Sequence, residues 1–254
     1  MSEPLPTVSV AEKLAERIAA VDPARLPAPT RTKCEDLAVD VIGLCLTVRN
    51  ADYVQATLAA CDDDGPCTVI GHTRTLSAAG AALVNGTAIH GEDFDDTFEG
   101  GPVHAGAVIV PAVLAACERH RPEGAAVLRG VAVGVETMCR LGLVTPKLVH
   151  KAGFHPTAVF GAMAAAAGVA AALGLDRRGI VDALGIAGSM AAGIIEYLAE
   201  GAWTKRMHAG WAAQSGLRAA LLAKHGFLGP RTVFEGPTAC STASPTPRRA
   251  TTTR

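Results

Sequence analysis

Residues 158–175 read AVFGAMAAAAGVAAALGL, eighteen positions without a charge, and the reading of this stretch decides the fold. Its length is about that of a membrane span. Its composition argues otherwise, because Ala and Gly partition weakly into lipid and no aromatic or basic belt flanks the run. Small side chains let helices approach closely. The stretch is therefore expected to be a buried central helix of a globular protein that does not cross a membrane.

Outward from this stretch, helical signals dominate. Ser9-Val-Ala-Glu12 and Thr32-Lys-Cys-Glu35 both fit the capping box, each followed by an apolar run at helical spacing. Helices are expected at 51–61, 77–97, 105–119, 124–140, 157–173, 177–199 and 210–224, with Gly174 and Gly226 placed as C-terminal caps. Only Cys67–Thr75 alternates like a strand. No period of solenoid length is present. The expected class is all-α, built from closely packed Ala/Gly-rich helices over residues 1–236. Residues 237–254, PTACSTASPTPRRATTTR, have no apolar period and are expected to be a disordered tail. An out-of-frame reading of GC-rich coding sequence would give the same composition.

Composition removes several function classes. A net charge of −1 argues against a nucleic-acid partner. The seven cysteines (34, 45, 61, 67, 117, 139 and 240) form no CxxC pair, which argues against a zinc ribbon or an iron–sulfur cluster. Their odd number and irregular spacing fit reduced core thiols in a cytoplasmic protein. The N-terminus has no apolar h-region, so no signal peptide is expected.

The chemistry concentrates in His90–His104, HGEDFDDTFEGGPVH. On a single helix over 77–97, Asp93 shares a stripe with Ala82, Gly86, Ile89, His90 and Thr97. Glu92, Asp95 and Glu99 then face the other way, with Asp96 at the margin, and a solvated acidic face accounts for them. Asp93 is left as the inward carboxylate, either a perturbed functional group or the partner of a core arginine. His104, His155 and His208 each stand at an expected helix start. Backbone N–H groups there attract anions and disfavour imidazolium, so a neutral imidazole can exchange a proton. Lys205 and Arg206 add positive charge suited to carboxylate or phosphate. A cap or core role explains any one of these histidines. Together with Asp93, Thr97 and Lys205 they read as an anion-binding site.

Asp95-Asp-Thr-Phe-Glu99 has the shape of a DDxxE magnesium motif, but no second metal motif faces it and the chain is 4% aromatic. An EF-hand fails because its sixth and twelfth positions would be Phe98 and His104. No G-x-S-x-G, P-loop or G-x-G-x-x-G is present. No metal is expected.

Three segments together resemble the MmgE/PrpD family. They are NGTAIHGEDFDDTFEGGPVHAGAVIVPAVLAACE (85–118), HPTAVFGAMAAAAGVAAALGLD (155–176) and WTKRMHAGWAAQSGLRAALLAKHGFLGP (203–230). The family includes 2-methylcitrate dehydratase, cis-aconitate decarboxylase and iminodisuccinate epimerase, and the resemblance covers about residues 8–236. It implies a cofactor-free lyase, a dehydratase or decarboxylase, acting on a small di- or tricarboxylate such as 2-methylcitrate. It also implies a large helical domain, a smaller α+β lid domain and a homodimer. Matched motif by motif, Asp93 and Thr97 of DFDDT, His104, His155 of HPT and Lys205 of TKRMHAG fall on family active-site positions, with His208 a weaker match. Under that resemblance Lys205, with Arg206 and His208, would hold substrate carboxylates. His104 or His155 would exchange protons, and Asp93 with Thr97 would orient them. Two departures stand out. The Thr97–His104 spacing is longer than usual, with Ala105 where Pro is common. The family also continues for nearly as many residues again, supplying the lid, so a truncated chain is implied. The other reading is a catalytically silent helical module that dimerises or binds a partner, such as a lid on another chain.

Overall fold

The computed structural model describes residues 7–145 and 147–236, so the tail read at 237–254 lies outside the described residues. Helix α1 (Val10–Ala19) starts at Ser9 with the expected box: the Ser9 hydroxyl accepts from Glu12 N, and the Glu12 carboxylate accepts from Ser9 N at 2.7 Å. The second box does not form. Helix α2 (Ala28–Val48) begins earlier, with Pro27 as its cap, and Thr32 lies inside it. Proline in a first turn needs no N–H partner and presets φ, and that start signal prevailed. After α3 (Asp52–Ala59), β1 (Asp64–Thr68) and β2 (Thr75–Leu76) pair antiparallel with Thr68 opposite Thr75. The single strand read at 67–75 is therefore the inner part of a hairpin whose turn contains Gly71 at φ 84°.

The remaining elements are α4 (Ala78–His90), α5 (Gly106–His120), α6 (Ala125–Val144), α7 (Leu148–Lys151), α8 (Pro156–Ala172), α9 (Arg177–Met190), α10 (Tyr197–Glu200) and α11 (Thr204–Lys224). Residues 158–172 of the stretch quoted first lie in α8, and every residue of that helix is buried. It is walled by α5, α6, α9 and α11. Among the described residues no helix is long and apolar enough to cross a membrane. Close approach is what the small residues provide. A Cβ on Gly168 of α8 would lie 2.7 Å from the Gly130 carbonyl oxygen of α6, and a Cβ on Gly86 of α4 would lie 2.6 Å from Gly210 Cα of α11. Each buried methylene is worth only about 0.8 kcal/mol, so stability here comes from density rather than from large side chains.

Three boundaries differ from expectation, and they matter for the site. Helix α4 ends at His90 rather than 97, because the chain turns out at Gly91–Asp93 and Asp93 takes the left-handed region at φ 59°. Aspartate tolerates that conformation better than most side chains. Helix α9 ends at Met190 rather than 199, where Ala191 becomes extended and Gly193 turns at φ 110°. Helix α11 starts at Thr204 rather than 210. Its first turn, Thr-Lys-Arg-Met, has no apolar period, and packing of α11 on α4 and α8 fixes it as helix. His208 is thus inside α11 and not before it.

Candidate active site

Four helix ends meet at one point. The C-terminus of α4 brings His90, the approach to α5 brings His104, the N-cap of α8 is His155, and the first turns of α11 bring Lys205, Arg206 and His208. Tyr197 enters from α10, after a loop pinned by Ile195 N donating to the Gly153 carbonyl at 3.0 Å. A cavity of about 680 Å³ opens between them, lined among others by His90, Asp93, His104, His155, Tyr197 and Lys205. That volume suits a small ligand. A second cavity of about 550 Å³ between α1, α6 and α8 is lined mostly by apolar side chains and by no histidine or carboxylate.

The acids divide differently from the helical-wheel reading. That reading placed Asp93 inward and Asp95 on a solvated face, and the structure reverses it, because no helix runs past His90. Asp93 is exposed on the cavity rim, where its carboxylate accepts a hydrogen bond from Lys205 Nζ. Asp95 is buried, with Oδ2 2.8 Å from His90 Nδ1 and Oδ1 3.4 Å from His104 Nδ1. Burial pushes the Asp95 carboxyl up, but hydrogen bonds and charge from His104 and His90 outweigh it and hold it well below the ordinary carboxylate range. Asp96, left at the margin by the wheel, caps α5, accepting from Gly106 N at 2.8 Å and Ala105 N at 3.2 Å. Burial nevertheless raises its pKa.

The imidazoles form a seam. The His90 and His104 rings lie 4.7 Å apart edge to face, His90 stacks on His155 at 5.5 Å, and His155 Nδ1 is 3.3 Å from His208 Nδ1. Burial, then repulsion from His90 and His208, pushes His155 down to about 2, and burial with His90 beside it pushes His208 down to about 4. Burial also opposes charge on His104, but its hydrogen bond to Asp95 and the nearby Asp95 and Asp93 carboxylates prevail and raise its pKa. Neighbouring histidines thus differ in kind: His104 favours the protonated form and His155 stays neutral. Such a split is how one site holds both an acid and a base.

Of the residues singled out from sequence, Asp93, His104, His155, Lys205 and Arg206 line the cavity. Thr97 stands behind His104, its Oγ1 3.4 Å from Nδ1, and His208 stands behind His155, against a neighbouring pocket. The Arg206 guanidinium lies 4.5 Å over the Tyr53 ring and 4.0 Å from Glu92. His90, Asp95 and Tyr197 were not singled out. Histidine followed by glycine is a helix C-terminus signal, and weighing it at His90-Gly91 would have stopped the wheel before Asp93. Tyr197 carried no local signal. His90, Asp93, Asp95 and His104 each offer one donor atom within 4.8 Å of the others, a density also found at metal sites. The 2.8 Å His90–Asp95 distance places a proton between the two groups, so the cluster reads as a hydrogen-bonded network.

Residues 12–250 match the MmgE/PrpD N-terminal domain. The chain belongs to the MmgE/PrpD family. It is 32% identical over 247 residues to the cis-aconitate decarboxylase-like protein oryM of Aspergillus oryzae, covering 92% of this chain and 51% of that protein. It is 35% identical over 190 residues to the cis-aconitate decarboxylase of Aspergillus terreus, covering 72% and 38%, and 38% identical over 160 residues to that of Homo sapiens, covering 61% and 33%. This MmgE/PrpD chain thus spans about half the length, or less, of the curated relatives it matches. Its two cavity cations, Lys205 and Arg206, each face an acid, Asp93 and Glu92 respectively.

Proposed function

We propose that this chain is the proton-transferring helical half of a cofactor-independent lyase that acts on a small di- or tricarboxylate, with decarboxylation of a cis-aconitate-like acid favoured over dehydration of 2-methylcitrate. The observation that carries the reading is a cavity lined by two histidines on either side of His90, His104 beside the buried Asp95 carboxylate and His155 buried where burial keeps it neutral, with Lys205 at the rim. The names of the relatives support the choice of reaction. A substrate carboxylate displaces Asp93 from Lys205, and the positive dipole end of α11 assists it. Loss of CO₂ breaks a C–C bond whose electron pair forms a new double bond. The electrons of the old double bond take up a proton at its far carbon, and His104 gives that proton. Neutral His155, backed by His208, donates its ring N–H to a substrate carboxylate, and Thr97 steadies the His104 ring. No metal or cofactor enters this scheme. A cytoplasmic location and assembly as a homodimer belong to the same proposal.

The test is to incubate the purified protein with cis-aconitate and, separately, 2-methylcitrate and to follow products by NMR. The expected result is slow release of CO₂ from cis-aconitate, with His104→Gln and His155→Gln each lowering turnover by about 10²–10⁴-fold. Unchanged turnover in both variants overturns the assignment. The span of about half a relative's length favours one second reading, a silent helical module whose site a separate chain completes. No turnover alone, with activity appearing on addition of a lid-bearing chain, would support it.

A further inference from the structure

Asp95 is not among the positions that the family motifs assign, yet it is the most enclosed acid of the seam. Its side chain and that of His90 are both 0% exposed. The carboxylate is placed between two imidazoles, one oxygen for each: Oδ2 at 2.8 Å from His90 Nδ1 and Oδ1 at 3.4 Å from His104 Nδ1. An ionised carboxylate only accepts, so His90 Nδ1 at 2.8 Å must donate, while Oδ1 is a buried acceptor without a formed hydrogen bond and faces His104 Nδ1 across 3.4 Å. We propose that His90 and Asp95 are positioning residues for His104. Asp95 takes the His104 Nδ1–H, fixes the tautomer that leaves Nε2 to exchange protons, and stabilises the imidazolium, while His90 donates to the other oxygen and stops the carboxylate from turning away.

Packing alone does not account for this arrangement. His90 Nε2 is buried without a hydrogen-bond partner, a cost that an apolar side chain of similar size would not carry. Nδ1 of His104 also lies 3.4 Å from Thr97 Oγ1, in hydrogen-bond geometry, so the hydroxyl and the unsatisfied Asp95 Oδ1 compete for one proton. Charge decides between them, because a bond to an ionised carboxylate is about twice as strong as one to a neutral hydroxyl. The other charges around His104 do less. Asp93 also favours the imidazolium, but it is paired with Lys205, which opposes it; both oxygens of Asp96 are taken by the α5 N–H groups, and His155 from α8 is neutral.

The proton-donating role of His104 rests on the functional reading above, whereas its positioning by Asp95 does not, and the experiment separates the two. Ring ¹⁵N shifts of the labelled chain are followed across pH for the parent, Asp95→Asn, His90→Gln and His90→Leu. In the parent, neutral His104 is expected as the Nδ1–H tautomer, with a midpoint above the ordinary value of about 6.5. Asp95→Asn keeps the burial and removes the charge, so the midpoint should fall by at least about one unit, a tenfold loss of imidazolium near neutrality. His90→Gln, whose amide can still donate to Oδ2, should keep the tautomer, and His90→Leu should mix it. An Asp95→Asn chain that retains both tautomer and midpoint overturns the proposal. If circular dichroism shows that variant unfolded, an unchanged tautomer in His90→Leu overturns it instead. Absence of turnover in every protein, with the titrations as expected, would sink the functional reading and leave the positioning intact.

Discussion

Helix α8 and the seam at its N-terminus are one turn apart and built from opposite materials. Along α8 most side chains are methyls and hydrogens, with Phe160 and Met163 the largest, and nothing can titrate. At its N-cap three ring-to-ring contacts link four imidazoles in a row. The difference shows how the site is made. Small residues bring α4, α5, α8 and α11 so close that their ends converge, and the ends carry the groups that the interior cannot solvate. The core contributes geometry, and the seam contributes charge.

The seam should fail first on acidification. His155 and His208 are held neutral in the fold and have ordinary values once unfolded, so both are depressed groups. Their contribution is complete above about pH 6.5 and is lost as pH falls, at roughly 1.4 kcal/mol per pH unit for each histidine until its folded value is reached. Urea unfolding at a series of pH values should show this slope, and His155→Gln should reduce it to the share of His208. A flat profile would mean that the seam is solvated like any surface. Next in size, Gly86→Ala puts a methyl 2.6 Å from Gly210 Cα and should cost about 1–3 kcal/mol by parting α4 from α11. A neutral result by thermal melting would show that the core yields more than its spacing implies. Ser9→Ala removes the α1 cap, remote from both regions, and should cost about 1 kcal/mol. Smallest is Glu136→Ala, which breaks an exposed pair with Arg140 and should change stability by about 0.3–0.5 kcal/mol.

The same contrast marks what the sequence disclosed. The core was legible: an uncharged Ala/Gly run has one good use in a protein without a lipid-facing belt, and α8 is buried where expected. Cap chemistry was legible at Ser9 and at Gly174, which turns at φ 66° just after α8. The seam was legible by residue type but not by orientation. A helical wheel assumes that the helix continues, and the left-handed turn at Asp93 invalidated it for every acid that followed. Asp95 therefore fell on the wrong side. The first turn of α11 was missed for the complementary reason, since its polar residues face a cavity and a cavity leaves no apolar period. Irregular backbone and cavity-facing polarity escape periodicity because both are set by long-range packing.

The two tryptophans of the chain are placed where a spectroscopist would put them. Trp203 lies on the cavity wall, its ring 6.2 Å from that of Tyr53 and edge-on to it, with Arg206 on the same tyrosine. Trp211 borders the neighbouring pocket, which Tyr197 separates from the cavity. A carboxylate that draws Arg206 off Tyr53 changes the polarity around Trp203 and leaves Trp211 largely undisturbed. Intrinsic emission, with Trp211→Phe to isolate Trp203, thus makes the protein its own optical titrant for any acid that enters the site.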